Sequence, residues 1–98
     1  MTVMFEVDAL EEYQSAAIYS EQRFGLGEAF IQAVELSIKL ISQDPERSQS
    51  LGNDIRIFQM QRFPYYLFYH HISGSDSISI YAVAHHSRKQ GYWRSRLK

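Results

Sequence analysis

The sequence predicts an α+β fold: an N-terminal strand and an antiparallel helical hairpin, then a largely antiparallel sheet, in the order β-α-α-β-β-β. Three observations predict it. Residues 8–24 and 27–43 carry apolar side chains at helical spacing, residues 55–85 carry them in alternation, and turn-forming clusters separate the runs. Ninety-eight residues make one domain over 1–98, because a second core would be too small to stand alone.

"TVMFEV" opens as a short strand, with Val3, Phe5 and Val7 alternating against Met4 and Glu6. "DALE" then reads as a capping box, Asp8 accepting from the backbone three residues on and Glu11 reaching back. The first helix runs to Phe24 on a stripe of Leu10, Tyr13, Ala17 and Phe24, with Ala16 alongside and Glu12, Gln14 and Glu21 facing water. The glycines of "FGLGEAF" make a tight link to a second helix over 27–43. Its first seam is Phe30, Val34, Ile38 and Ile41. A second seam, Ala29, Ala33, Leu36 and Leu40, implies burial on more than one side. Asp44-Pro45 ends it, because the residue before proline leaves the helical region.

Residues 48–54 read as a polar loop. "IRIFQMQ" (55–61), "PYYLFYHHI" (64–72) and "SISIYAVAH" (77–85) alternate as strands, with "SGSD" turning the chain between the last two. The basic "RKQGYWRSRLK" reads as a short helix or an ordered tail.

The aromatics of "RFPYYLFYHH" occupy both faces of their strand, where a half-buried strand would turn one face polar. If Ile72 opposes Ser77 across the turn, one face carries Leu67, Tyr69 and His71 beside Ile78, Ile80 and Ala82 and sits under the helices. The other carries Tyr66, Phe68 and His70 beside Ser79, Tyr81, Val83 and His85, rings with polar tips that suit a contact surface. Cross-strand aromatic pairing, or a tail folded over the rings, accounts for the same pattern. This register separates His70 from His85 by roughly 20 Å, too far for one metal ion.

Charge divides the chain. Residues 1–45 hold eight acids against two bases, net −6, and residues 46–98 hold three acids against eight bases, net +5. A basic face of this kind suits nucleic acid or an acidic protein, and a solvated terminal helix would look the same. There is no cysteine, hence no thiolate chemistry and no disulfide, which suits a reducing compartment. The acidic N-terminus is not a signal peptide, and no apolar run approaches a membrane span. These features lead us to expect a soluble cytoplasmic protein. No phosphate-binding glycine loop or G-x-S-x-G elbow is present.

One combination is more specific. "AAIYSEQRFGLGEAF", "IRIFQMQRFPYYLFY" and "IYAVAHHSRKQGYWRSR" give an Arg-containing strand leading into F-P-Y-x-x-x-Y, then A-V-x-H-x-x-R and a Tyr-Trp pair. In these the chain resembles the RelE/ParE superfamily, the toxin halves of bacterial type II toxin–antitoxin pairs, over nearly its whole length. The resemblance implies two helices against an antiparallel sheet, neutralisation by a cognate antitoxin, and no cofactor. It also implies growth inhibition and plasmid stabilisation through DNA gyrase, or cleavage of messenger RNA on the ribosome. Tyr66 stands where RelE-like nucleases place a phosphate-binding arginine, with Arg88, Arg56 and Arg62 as stand-ins, and Gln90 stands where many relatives have proline. The missing arginine favours the ParE-like branch. The expected target-binding residues are Tyr66, Phe68, Tyr81, His85, Arg88, Trp93, Arg94 and Arg96, with Trp93 also anchoring the tail by packing. The enzyme alternative, a ribosome-dependent endoribonuclease, would use His85, Arg88 and Tyr92. A third alternative is an inactive binding module of the same fold.

Overall fold

The computed structural model describes residues 1–89 and 91–96. Strand β1 (Thr2–Phe5) leads into helices α1 (Val7–Phe24) and α2 (Gly27–Gln43), followed by strands β2 (Gln49–Gly52), β3 (Ile55–Gln59), β4 (Tyr65–His70) and β5 (Ser77–His85) and a 3-10 helix, Tyr92–Arg96. The five strands form one sheet in the order β1-β5-β4-β3-β2. All neighbours are antiparallel except β1 and β5, which run parallel from Thr2 opposite Ser77 to Phe5 opposite Ile80. The expected α+β architecture is present, with one strand more than the sequence suggested.

That strand is β2, in the segment read as a polar loop. Its side chains carry no apolar alternation; pairing with β3 creates it. Asn53 and Asp54, at φ 53° and 61°, fill a two-residue turn that requires left-handed backbone at both positions.

The helix link is as tight as its glycines imply. Gly25 adopts φ 67°, and the Leu26 N–H donates to the Ser20 carbonyl at 3.0 Å, closing α1 with a Schellman-type turn. Gly27 begins α2 with its N–H on Glu21 Oε1 at 3.1 Å. At the other end of α1 the expected capping box is not formed. The cap position is Glu6, in extended backbone and with no side-chain capping bond. Helical geometry begins at Val7, two residues too early for Asp8 to cap.

One core lies between the helices and the sheet. Phe30, Val34 and Ile41 of α2 and Ala9 and Ala16 of α1 close over Leu67, Tyr69, Ile78, Ile80 and Val83. Phe30 meets the Phe63 and Tyr65 rings edge-on, at 5.2 and 5.1 Å between centroids. Leu10 and Phe24, placed in the buried stripe by spacing, are exposed. The second seam of α2 divides: Ala33 packs against the core, while Leu36 and Leu40 remain 48% and 37% exposed. Among the described residues no helix is long and apolar enough to cross a membrane.

The β4–β5 register carries a correction. Tyr69 opposes Ile80 as the Ile72–Ser77 pairing implies, but Phe68 opposes Ala82, so Tyr81 is an extra residue in a β-bulge. A bulge of one residue exchanges the two faces of a strand beyond it. Val83 therefore joins the helix-side core and His85 lies on the helix side, while Ala82 and Ala84 turn to the opposite face. On that face Phe68, Ala82, Ala84 and Ile55 form a second cluster closed by Trp93, whose ring lies 5.0 Å from that of Phe68. The tail covers the aromatic face, the packing alternative left open by the sequence. Gln90, the position of the expected proline, and Leu97 and Lys98 lie outside the described residues.

Candidate functional site

Strand β1 diverges into α1 after Phe5, so the stretch of β5 from Tyr81 to His85 has no strand on that side. Its backbone groups need partners. Two side chains supply them. Glu12 Oε1, from α1, accepts the Val83 N–H at 3.0 Å, and Arg96 Nη1, from the tail, donates to the Tyr81 carbonyl at 2.8 Å.

The same two residues bind each other, through Arg96 Nη1 to Glu12 Oε1 at 3.1 Å and Nη2 to Oε2 at 2.9 Å. The Tyr92 hydroxyl donates to Glu12 Oε2 at 2.7 Å, and Arg88 Nη1 approaches that oxygen at 3.5 Å. The Arg88 guanidinium also lies over the Tyr92 ring, 3.9 Å from its centroid. Asp8 Oδ2 adds a contact to Arg96 Nε at 3.5 Å. Burial pushes the Glu12 carboxyl up, but the hydrogen bonds from Arg96, Tyr92 and Val83 outweigh it and leave its pKa below the usual value. Burial, and the bond to that carboxylate, raise the Tyr92 phenol well above its ordinary pKa. Glu12 raises the Arg96 pKa through the same hydrogen bonds, against partial desolvation.

Beside this cluster lies an open cleft of about 490 Å³, lined by Glu11, Tyr19, Tyr65, His85 and Arg88 among others. The His85 ring stacks on His86 at 4.7 Å and meets Tyr65 edge-on at 5.2 Å. Its Nδ1 accepts the Ser87 N–H at 3.1 Å, which leaves the proton of the neutral ring on Nε2. Arg88 is 53% exposed at its side chain and, with His85, presents polar groups to this cleft. Among the described residues no three His, Asp or Glu gather as metal ligands.

The residues singled out from the sequence therefore separate into groups. His85, Arg88 and Tyr92 come together, with Tyr92 turned inward onto Glu12. Phe68 and Trp93 are buried against each other and present no surface, which corrects their place in a contact face. Tyr66 and Tyr81 are half-buried at the rim of that cluster, Tyr81 stacked on His70 at 5.8 Å. Arg94 is exposed, its guanidinium 4.8 Å from the Trp93 ring centroid. Arg96 is an internal counter-ion, so part of the basic half of the chain is folded onto its acidic half. The residue that spacing missed is Glu12, assigned to the solvent side of α1. Its signal was the charge split itself, an acid-rich helix in a chain whose tail is purely basic.

The model of the family described as ParE toxin of type II toxin–antitoxin system, parDE, matches residues 3–90. No curated protein sequence matches the chain. Among solved structures, one described as the chromosomal ParDE TA system from P. aeruginosa superposes with a TM-score of 0.72 at 13% identity, over 87% of this chain and 95% of that one. At that identity the likeness is one of fold. The family match spans both helices, strands β2 to β5 and most of β1, with His85 and Arg88, and by it the chain belongs to the ParE toxin family of type II toxin–antitoxin systems.

Proposed function

We propose that this toxin arrests growth by engaging DNA gyrase, with His85 and Arg88 in the contact surface, and that a cognate antitoxin neutralises it. The observation that carries the reading is the 2.7 Å bond from the Tyr92 hydroxyl to Glu12. Of the three residues a nuclease would use, Tyr92 is held protonated against a carboxylate and Arg88 leans on the same carboxylate. With Tyr66 in place of the phosphate-binding arginine, phosphate binding lacks its expected group, and with Tyr92 engaged by Glu12, His85 alone is left for proton transfer. A binding surface needs neither function. For the antitoxin, the exposed Ile18 and Ile31, which line one shallow groove between the two helices, supply an apolar docking strip.

Controlled expression in bacteria, with translation and chromosome damage followed separately, tests the target. The expected result is filamentation and a DNA-damage response while early protein synthesis continues. Arrest of amino-acid incorporation within minutes, with transcripts cut at ribosome-bound codons, overturns the reading and makes His85, Arg88 and Tyr92 catalytic candidates. Co-purification with the product of the neighbouring gene tests the antitoxin. A chain that is harmless and monomeric without any partner counts against it.

A further inference from the structure

Seven of the described residues have positive φ. Four are glycines, and Asn53 and Asp54 have the short polar side chains that tolerate this backbone. The seventh is Arg62, at φ 74° in the turn between β3 and β4. Glycine would make that turn without strain. The backbone of this turn favours glycine, so the arginine there points to what its side chain does.

Arg62 lines a slot of about 340 Å³ between the end of α1 and this turn, with Tyr19, Phe24, Leu26, Phe63 and Tyr65. Its apolar walls are open to water, with Phe24 62% and Leu26 42% exposed. Arg62 and His85 are the basic groups of the lining, and no carboxylate belongs to it. Tyr19, Tyr65 and His85 are shared with the neighbouring cleft, so the slot runs into the space that holds Arg88. An apolar slot with basic groups and no acid complements an apolar side chain beside a carboxylate.

We infer that this slot docks a bulky apolar side chain of the toxin's cellular protein target, with a carboxylate of the same target segment paired to Arg62. The inference rests on the toxin reading above and names a contact that reading leaves open. The groove of Ile18 and Ile31 assigned to the antitoxin shares no lining residue with this slot, which makes the two surfaces independently testable.

The test uses Arg62→Gly, Arg62→Lys and Phe24→Ser in the full chain, scored for growth arrest, antitoxin capture, gyrase capture and melting temperature. Arg62→Gly is expected to melt no lower than the parent, since glycine relieves the backbone, and to retain antitoxin capture. It should need at least tenfold more protein to arrest growth. Phe24→Ser, at an exposed position, should behave alike, and Arg62→Lys should keep most of the activity. Undiminished arrest by Arg62→Gly and Phe24→Ser overturns the inference. So does weakened antitoxin capture with arrest intact, which would give the slot to the antitoxin. Arrest lost in both variants, in a parent chain that never captures gyrase, sinks gyrase as target and leaves the slot standing.

Discussion

Glu12 and Arg96 are joined at two points, Nη1 to Oε1 at 3.1 Å and Nη2 to Oε2 at 2.9 Å, across 84 residues of sequence. The pair pins the tail to α1 and fills the open edge of β5. Glu12→Ala would leave the Arg96 guanidinium, the Tyr92 hydroxyl and the Val83 N–H short of a partner together. We expect a loss of about 2–4 kcal/mol, with Glu12→Gln costing less because it keeps an acceptor. Urea melts measure it, and an unchanged midpoint for Glu12→Ala would show that water replaces the carboxylate at no cost.

The lowered Glu12 pKa sets the sign of a pH effect. A carboxyl with a depressed folded-state pKa contributes stability that is fully present above its unfolded value and is lost as pH falls through the folded one. The tail is therefore expected to loosen in acid, below the ordinary carboxylate range. Trp93, the single tryptophan, reports this directly through its fluorescence. Glu12→Gln should flatten that transition, and an identical acid profile in the variant would assign the loosening to another group.

Trp93 is 1% exposed and closes the second cluster. Trp93→Ala is expected to lower the melting temperature, with a cost of about 3–5 kcal/mol. A shift of less than a degree would mean that the tail contributes nothing to the fold.

Arg88 and Tyr92 should divide between function and stability. Arg88→Ala removes a half-exposed side chain and a long ion pair, so stability should stay within about 0.5 kcal/mol while growth arrest weakens. Tyr92→Phe keeps the ring beneath Arg88 and loses the bond to Glu12, so about 1–2 kcal/mol of stability should go while arrest persists. If Arg88→Ala unfolds the chain, Arg88 is structural. If Tyr92→Phe abolishes arrest in a folded protein, the hydroxyl acts on the target after all.

Gly27, the first residue of α2, lies directly against α1. A Cβ there would lie 2.8 Å from Glu21 Cβ and 3.2 Å from the Ala17 carbonyl oxygen. Gly27→Ala is expected to cost about 1–3 kcal/mol by forcing the hairpin apart. A gain in stability, as the better helix former would give in open space, would show that the contact relaxes freely.

Local pattern determined the elements. The bounds of α2 and β5 coincide with the expected 27–43 and 77–85, and the link at Gly25 needed only its glycines to be found. Helical spacing and strand alternation are properties of neighbouring residues, legible without any knowledge of what packs where. His85 and Arg88 were legible as candidates for the same reason, through a short motif in "AVAHHSR".

Only the tertiary structure decided the rest. Strand β2 exists because β3 lies beside it, and its own side chains carry no alternation to announce it. The bulge at Tyr81 turned Val83 and His85 to the helix side, a reversal that strict period-two counting has no means to register. Glu12 looks like one more solvent-facing acid until the tail arrives, 80 residues later for Tyr92, to bury it. A side chain's direction follows from local geometry, but its partner is set by chain closure over long separations, where the hydrogen-bonding needs of an open strand edge select which charges turn inward.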